Sequence, residues 1–192
     1  MYKIRKAQPQ DALGITIVNS FAWRVTYTGL VSESYIDRRT EELLPRTEKT
    51  RQGIEQGGHY LVAAEENTVV GFCIFGPERD AETPGRSEIY ALYVLPGYQK
   101  RGAGSALLSA ALRTLKEEGA SQVIVNCLQG NPALRFYQRM GGKTIEQGWN
   151  ESASSMYRNS PRAPDTGVPA GRTVPRRWIR HCPAMRHWKT GY

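Results

Sequence analysis

Gln99-Lys100-Arg101-Gly102-Ala103-Gly104-Ser105 is the stretch on which the fold reading turns, because of what stands on either side of it. Before it, Ser87 to Val94 reads as a strand ended by Pro96-Gly97. After it, Ala103 to Glu118 carries Leu107, Leu108, Ala111, Leu112 and Leu115 at helical spacing and is closed by Gly119. A loop between a strand and a helix start presents successive backbone N–H groups without intrahelical partners. The helix dipole adds partial positive charge there, so an anion is stabilised. Gly102 and Gly104 carry no Cβ and let phosphate oxygens approach the backbone, while Lys100 and Arg101 add charge at the rim. No Gly-Lys-Ser/Thr follows, which excludes a Walker loop, and Leu107 stands where a dinucleotide fingerprint needs Gly or Ala. A plain turn packed under a helix would use the same two glycines, so the loop alone leaves both readings open.

Outward from this loop, strands alternate with helices. Tyr2 to Lys6 reads as a strand, and Asp11 caps a helix to about Trp23 whose Leu13, Ile15, Ile17, Val18 and Phe21 predict a buried stripe. Ser32 caps a second helix, Glu33 to Leu44, which Pro45 ends, and Glu48 to Gln56 is a third. Tyr60 to Glu65 and Val69 to Phe75 form a hairpin about Glu66-Asn67-Thr68. Val123 to Leu128 is a buried strand, Pro132 to Met140 a short helix with proline in its first turn, and Lys143 to Ile145 begins another strand. This alternation predicts an α/β fold with a mixed sheet over residues 1–145. Residues 146–192 hold Pro161, Pro164, Pro169, Pro175 and Pro183 among Gly and Arg without sustained period, and read as a loosely ordered tail in which Ser155 to Arg158 is the one strand candidate.

Three motifs in order then resemble one family. Gln99-x-x-Gly102-x-Gly104 resembles the Q/R-x-x-G-x-G/A acyl-CoA signature of the GNAT superfamily, and the segment from Glu88 to Pro96 is similar to the one preceding it in many members. Asn131-Pro132-Ala133-Leu134-Arg135-Phe136-Tyr137-Gln138-Arg139-Met140-Gly141 resembles the family's N-x-x-A-x-x-F/L-Y-x-x-x-G, with Asn131 one residue closer to Ala133 than in the commonest spacing. The resemblance covers residues 2–145. It implies a mixed, mostly antiparallel sheet splayed between the fourth and fifth strands and flanked by helices, with acetyl-CoA as co-substrate in the gap. Its binding residues would be Leu92, Tyr93 and Val94 along the pantetheine arm and Gln99, Lys100, Arg101, Gly102, Ala103, Gly104 and Ser105 at the pyrophosphate, with Asn131 and Tyr137 completing the set. In the family the last two strands form a hairpin beside the acceptor site, and here the tail departs from that pattern.

The implied reaction is acetyl transfer to a primary amine of a small molecule or peptide through a ternary complex. An amine of pKa near ~10.4 must lose a proton before it attacks a thioester. Glu88, by its offset from Gln99, resembles the catalytic glutamate of the histone-acetylating branch, and a surface-facing strand carboxylate is the other reading. Tyr137 occupies the position of the family's tyrosine that donates a hydrogen bond or proton to the departing thiolate, against a half-buried tyrosine packed beside Phe136. Backbone N–H groups near Leu92 to Val94 would stabilise the oxyanion if a bulge lies there. Trp23, Tyr27, Tyr35, Glu78 and Arg79 are candidates for the acceptor pocket. A competing function is an acyl-CoA-binding module of the same fold without acceptor turnover, which the missing final strands would explain.

Composition bounds the rest. Hydrophobic residues are 40% and charged residues 23% of 192, as in an ordinary globular domain. Of the net charge of +8, five units fall in residues 146–192 and three in residues 1–145, and the scattered arginines of the tail do not form the helix face that nucleic-acid binding would use. Cys73, Cys127 and Cys182 are odd in number and widely spaced, which fits neither a disulfide framework nor a metal site. No run approaches the ~18 apolar residues of a membrane helix, and no signal-peptide core follows the N-terminus. The expectation is a cytoplasmic protein with no metal and no membrane partner, with room left for a homodimer.

Overall fold

The computed structural model describes residues 2–79, 85–128, 131–150 and 174–180. Its strands are β1 (Lys3–Lys6), β2 (His59–Glu65), β3 (Thr68–Pro77), β4 (Arg86–Val94), β5 (Gln122–Leu128), β6 (Lys143–Asn150) and β7 (Val174–Arg180). Its helices are α1 (Ala12–Tyr27), α2 (Glu33–Glu41), α3 (Leu43–Glu55), α4 (Ala103–Glu117) and α5 (Ala133–Arg139). The strands make one sheet in the order β1-β2-β3-β4-β5-β7-β6. Every pairing is antiparallel except β4 with β5.

That parallel pair sets the site. Arg86, Ser87, Glu88 and Ile89 pair with Gln122 to Val125, and there the pairing stops although β4 runs on to Val94. Beyond Ile89 the two strands diverge, as the family resemblance implies. β4 also carries an irregularity against β3, where Ile74 faces Ala91 and Phe75 faces Ile89, leaving Tyr90 as the extra residue. The bulge therefore lies at Tyr90 rather than over Leu92 to Val94, so the oxyanion contact reasoned from a bulge there loses that geometric basis.

Strand alternation divides the core into two layers. On one face Leu61, Ala63, Cys73, Ile89, Val123 and Val125 pack under Leu107, Leu108, Ala111, Leu112 and Leu115 of α4, with Tyr137 of α5 in the same cluster. On the other, Val62, Val69 and Phe72 meet Ile15 and Val18 of α1. A third cluster, Trp23, Tyr27, Val31 and Ile36, ties the end of α1 to α2.

Several expectations are corrected here. Ile15 and Val18 are buried, yet Leu13, Ile17 and Phe21 are exposed. A helix apolar around its circumference can turn only one face to a sheet. Asp11 is the N-cap residue of α1, but its carboxylate makes no capping bond to the helix. It accepts from the Gln8 N–H (2.7 Å) and from Arg5 (2.6 and 2.9 Å), holding β1 to the turn before the helix. The break between α2 and α3 falls at Glu42, and Pro45 sits in the first turn of α3, where its missing N–H costs nothing. The sheet also continues past residue 145. β6 reaches Asn150, and Val174–Arg180 inserts between β5 and β6, supplying the final strand that the sequence pattern hides behind Pro175 and three arginines. The candidate at Ser155 to Arg158 lies outside the described residues.

Candidate active site

The divergence of β4 from β5 opens a cleft of about 680 Å³ through the sheet. Its walls come from five places: the end of α1 (Val25, Thr26, Tyr27), the free run of β4 (Tyr90 to Val94), the end of β5 (Val125, Asn126, Cys127), the start of α4 with the loop before it, and α5 with Asn131 before it.

At one end stands the loop. Lys100 has φ 59° and Gly102 φ 86°, so two left-handed residues turn the chain from the strand into α4. Gly102 is the N-cap, no side chain caps the helix, and the first N–H bonded back along it is that of Ala106, donating to the Gly102 carbonyl (2.9 Å). Ala103, Gly104 and Ser105 thus hold the uncommitted donors of the first turn. A Cβ built on Gly104 would meet Phe136 at 3.6 Å and Leu92 at 3.9 Å, ordinary contacts. The protein's own packing does not require glycine there, whereas a phosphate group resting on the helix start would favour a small residue. Lys100, Gly102, Gly104 and Ser105 line the cleft; Ala103, the first residue of α4, is buried, and Arg101 lies over the Tyr98 ring with its carbonyl accepting from the Tyr2 hydroxyl (2.8 Å).

Along the wedge, the Leu95 N–H donates to Val70 on the β3 side (2.9 Å). Alternation then turns the backbone groups of Leu92 and Val94 toward the side where β5 has departed. The Val94 carbonyl accepts from the Gln99 side chain (2.9 Å), so Gln99 braces the strand to the loop. Leu92 and Val94 point their side chains into the α4 layer, and Tyr93 points into the α1 layer. These features fit a long, thin ligand with a charged phosphate end: donors at the helix start, an unpaired strand edge beside it, and a cavity passing between the layers.

Tyr137 sits in the cleft, buried, with no hydrogen-bond partner for its hydroxyl among the described residues. Burial, then the neighbouring Cys73, Cys127 and Tyr27, push its phenol well above 10, so it stays protonated. Cys127 is also in the cleft wall and buried, and burial pushes its thiol up to about 11. It therefore stays a thiol near neutrality. Asn131 is buried, with Oδ1 accepting from the Ala133 N–H (2.9 Å) and Nδ2 donating to the Tyr27 hydroxyl (3.3 Å), which lies 3.4 Å from that of Tyr93.

Glu88 does not line the cleft. It is 2% exposed, and both carboxylate oxygens are engaged: Arg79 donates from Nε (3.0 Å), from Nη2 and from its backbone N–H (3.4 Å), and Asn126 Nδ2 donates at 2.8 Å. Burial alone would raise its pKa, but the hydrogen bonds and charge of Arg79, with the Asn126 bond, hold it below the ordinary carboxylate value. A carboxylate held down in this way is a poorer proton acceptor than a free one, which argues against the direct base role expected from its position. Of the acceptor-pocket candidates, Trp23 and Tyr35 stack in the third cluster, Glu78 pairs with Arg86 (2.9 Å), and Tyr27 alone lends its side chain to the cleft. Asn126 was missed. Its signal was present as a lone amide in the apolar run Val123-Ile124-Val125-Asn126-Cys127-Leu128.

Among the described residues no group of three His, Cys, Asp or Glu side chains could hold a metal ion, and no helix is long and apolar enough to cross a membrane. Against known proteins, the model of the acetyltransferase (GNAT) family matches residues 24–142. An N-acetyltransferase of Bacillus subtilis (strain 168), YuaI, itself uncharacterised, is 31% identical over 147 residues, 77% of this chain and 83% of that one. The crystal structure of a PaiA N-acetyltransferase from Thermoplasma acidophilum in complex with coenzyme A superposes with a TM-score of 0.68 at 19% identity, over 95% of this chain and 99% of that one. A GNAT family acetyltransferase from Brucella melitensis in complex with acetyl-CoA superposes with a TM-score of 0.53 at 28% identity, over 74% and 83%.

Proposed function

Given that the chain belongs to the acetyltransferase (GNAT) family, we propose that it transfers the acetyl group of acetyl-CoA to a primary amine of a small molecule or peptide within a ternary complex. The observation that carries this reading is the cleft itself, which runs from the uncapped start of α4, along the free edge of β4, to a protonated phenol and a wall of α1 on the opposite layer.

Bound acetyl-CoA supplies a thioester, whose carbonyl carbon accepts the amine nitrogen and whose sulfur departs. The first turn of α4 with Lys100 holds the pyrophosphate through backbone donors and charge. The edge of β4 at Leu92 and Val94 aligns the arm, and Gln99 keeps that edge in register with the loop. Tyr137 donates a hydrogen bond to the departing sulfur. Its phenol stands well above 10 and a thiol near ~8.5, so complete proton transfer to the sulfur runs uphill and hydrogen-bond donation is the part it can play. The proton lost by the amine passes to water at the cleft mouth. With Cys127 held as a buried thiol, direct attack replaces any acyl-enzyme route.

A binding module without turnover drew its support from an absent final strand, and the pairing of β7 with β5 removes that ground. The test is release of free thiol from acetyl-CoA in the presence of polyamines, amino acids, aminoglycosides and short peptides. Turnover with any of them supports the reading. Silence across the panel, with acetyl-CoA still raising Tm, would return the binding module to first place.

A further inference from the structure

β5 alternates between the two core layers. Val123 and Val125 belong to the layer under α4, which turns Ile124 and Asn126 to the face that α1 covers. Asn126 is the first β5 residue after the last pair with β4, Ile89 with Val125, so it stands where the wedge begins and lines the cleft. Its Nδ2 donates to Glu88 Oε1 at 2.8 Å. A carboxylate accepts and does not donate, and Glu88 is kept in that form by Arg79, so the amide has one orientation open to it, with NH₂ toward Glu88. That leaves Oδ1, which is buried and has no donor among the described residues. A buried acceptor without a donor is costly, and its presence in a cleft wall asks for a ligand that supplies an N–H.

We propose that Asn126 Oδ1 accepts a hydrogen bond from the nitrogen of the acceptor amine, and that Glu88, clamped by Arg79, is the positioning residue that points the amide for this task. The inference rests on the acetyl-transfer reading. On the proposed reading coenzyme A is held from the α4 layer and along the edge of β4, whereas Asn126 is turned to the other face of the sheet, the face of α1, whose Thr26 and Tyr27 line the same cleft and which is left for the second substrate. An attacking amine must aim its lone pair at the thioester carbon and send its N–H groups elsewhere, and an oxygen that only accepts matches that need. A neutral amide oxygen does so without the full charge that would stabilise the unreactive ammonium.

The experiment uses a conjugate in which the sulfur of coenzyme A is joined through a CH₂–CO bridge to methylamine, the smallest acceptor, so that its N–H occupies the place of any primary amine. Binding of this conjugate and of coenzyme A itself to the full-length protein is measured by titration calorimetry. Wild type should bind the conjugate more tightly than coenzyme A. Asn126→Leu should lose about tenfold on the conjugate and less than twofold on coenzyme A, and Asn126→Ala gives the same comparison if leucine is not accommodated. Glu88→Leu should follow Asn126→Leu, while Glu88→Gln, whose carbonyl can still accept from Asn126, should stay within about threefold of wild type. Equal affinity of wild type and both Asn126 variants for the conjugate, or no preference of wild type for it over coenzyme A, overturns the proposal. Absence of thiol release from acetyl-CoA would count against acetyl transfer instead, and is read separately.

Discussion

Tyr137 and Glu88 are buried in opposite charge states, because burial keeps one neutral while Arg79 keeps the other charged. Removing the Tyr137 hydroxyl should therefore cost the chemical step and little else. Tyr137→Phe is expected to lower kcat about tenfold or more while the KM for acetyl-CoA changes less than twofold; a fully active variant across pH would remove the hydroxyl from the mechanism. Glu88 behaves as an ionised group that folding stabilises. Its folded pKa lies below the ordinary value near 4.5, so its contribution to stability is complete above that value and is lost as pH falls through the depressed one. The Tm gap between wild type and Glu88→Gln should accordingly be widest near neutrality and close on acidification. The pH–rate profile of the variant should keep its wild-type shape, and a vanished acidic limb would reinstate Glu88 as the base. The sequence offered Glu88 by its position relative to Gln99 alone. Its partners, Arg79 nine residues away and Asn126 thirty-eight away, meet it only through the β3–β4 and β4–β5 pairings.

On the proposed reading co-substrate binding depends on the start of α4, and Gly104 isolates its part. A Cβ there meets only ordinary contacts, and any residue but proline suits a helix better than glycine, so Gly104→Val should leave the unliganded protein at least as stable. The γ-methyl groups would reach into the space that Gly104 lines, and affinity for coenzyme A should fall roughly tenfold or more. Unchanged affinity in calorimetry would mean that the phosphates lie elsewhere. This element was the most legible part of the sequence, since a glycine-bearing loop and an apolar period of 3.6 are both local signals. α1 was less so: Leu13, Ile17 and Phe21 share the period of Ile15 and Val18, and only the placement of the sheet decides which set is covered. The α2–α3 break was misplaced because a proline ends one helix or begins the next with equal local sense, and the backbone at Glu42 makes the choice.

At the scale of the whole molecule, one parallel pairing inside an otherwise antiparallel sheet produces the cleft. β4 and β5 were readable as strands, but their divergence after Ile89 was reached only through resemblance to a family, because no local pattern records where two strands part. β7 was not readable at all: Val174–Arg180 has three arginines and a proline in seven residues, and its place is fixed by partners on both sides, β5 and β6. The central claim is that this cleft brings a thioester and an amine together, and it is tested most directly by following free thiol released from acetyl-CoA by the full-length protein with and without an amine panel. Amine-dependent release that is lost to a large degree in Tyr137→Phe is the expected result. Tight binding of acetyl-CoA with no amine-dependent release from any member of the panel would contradict it.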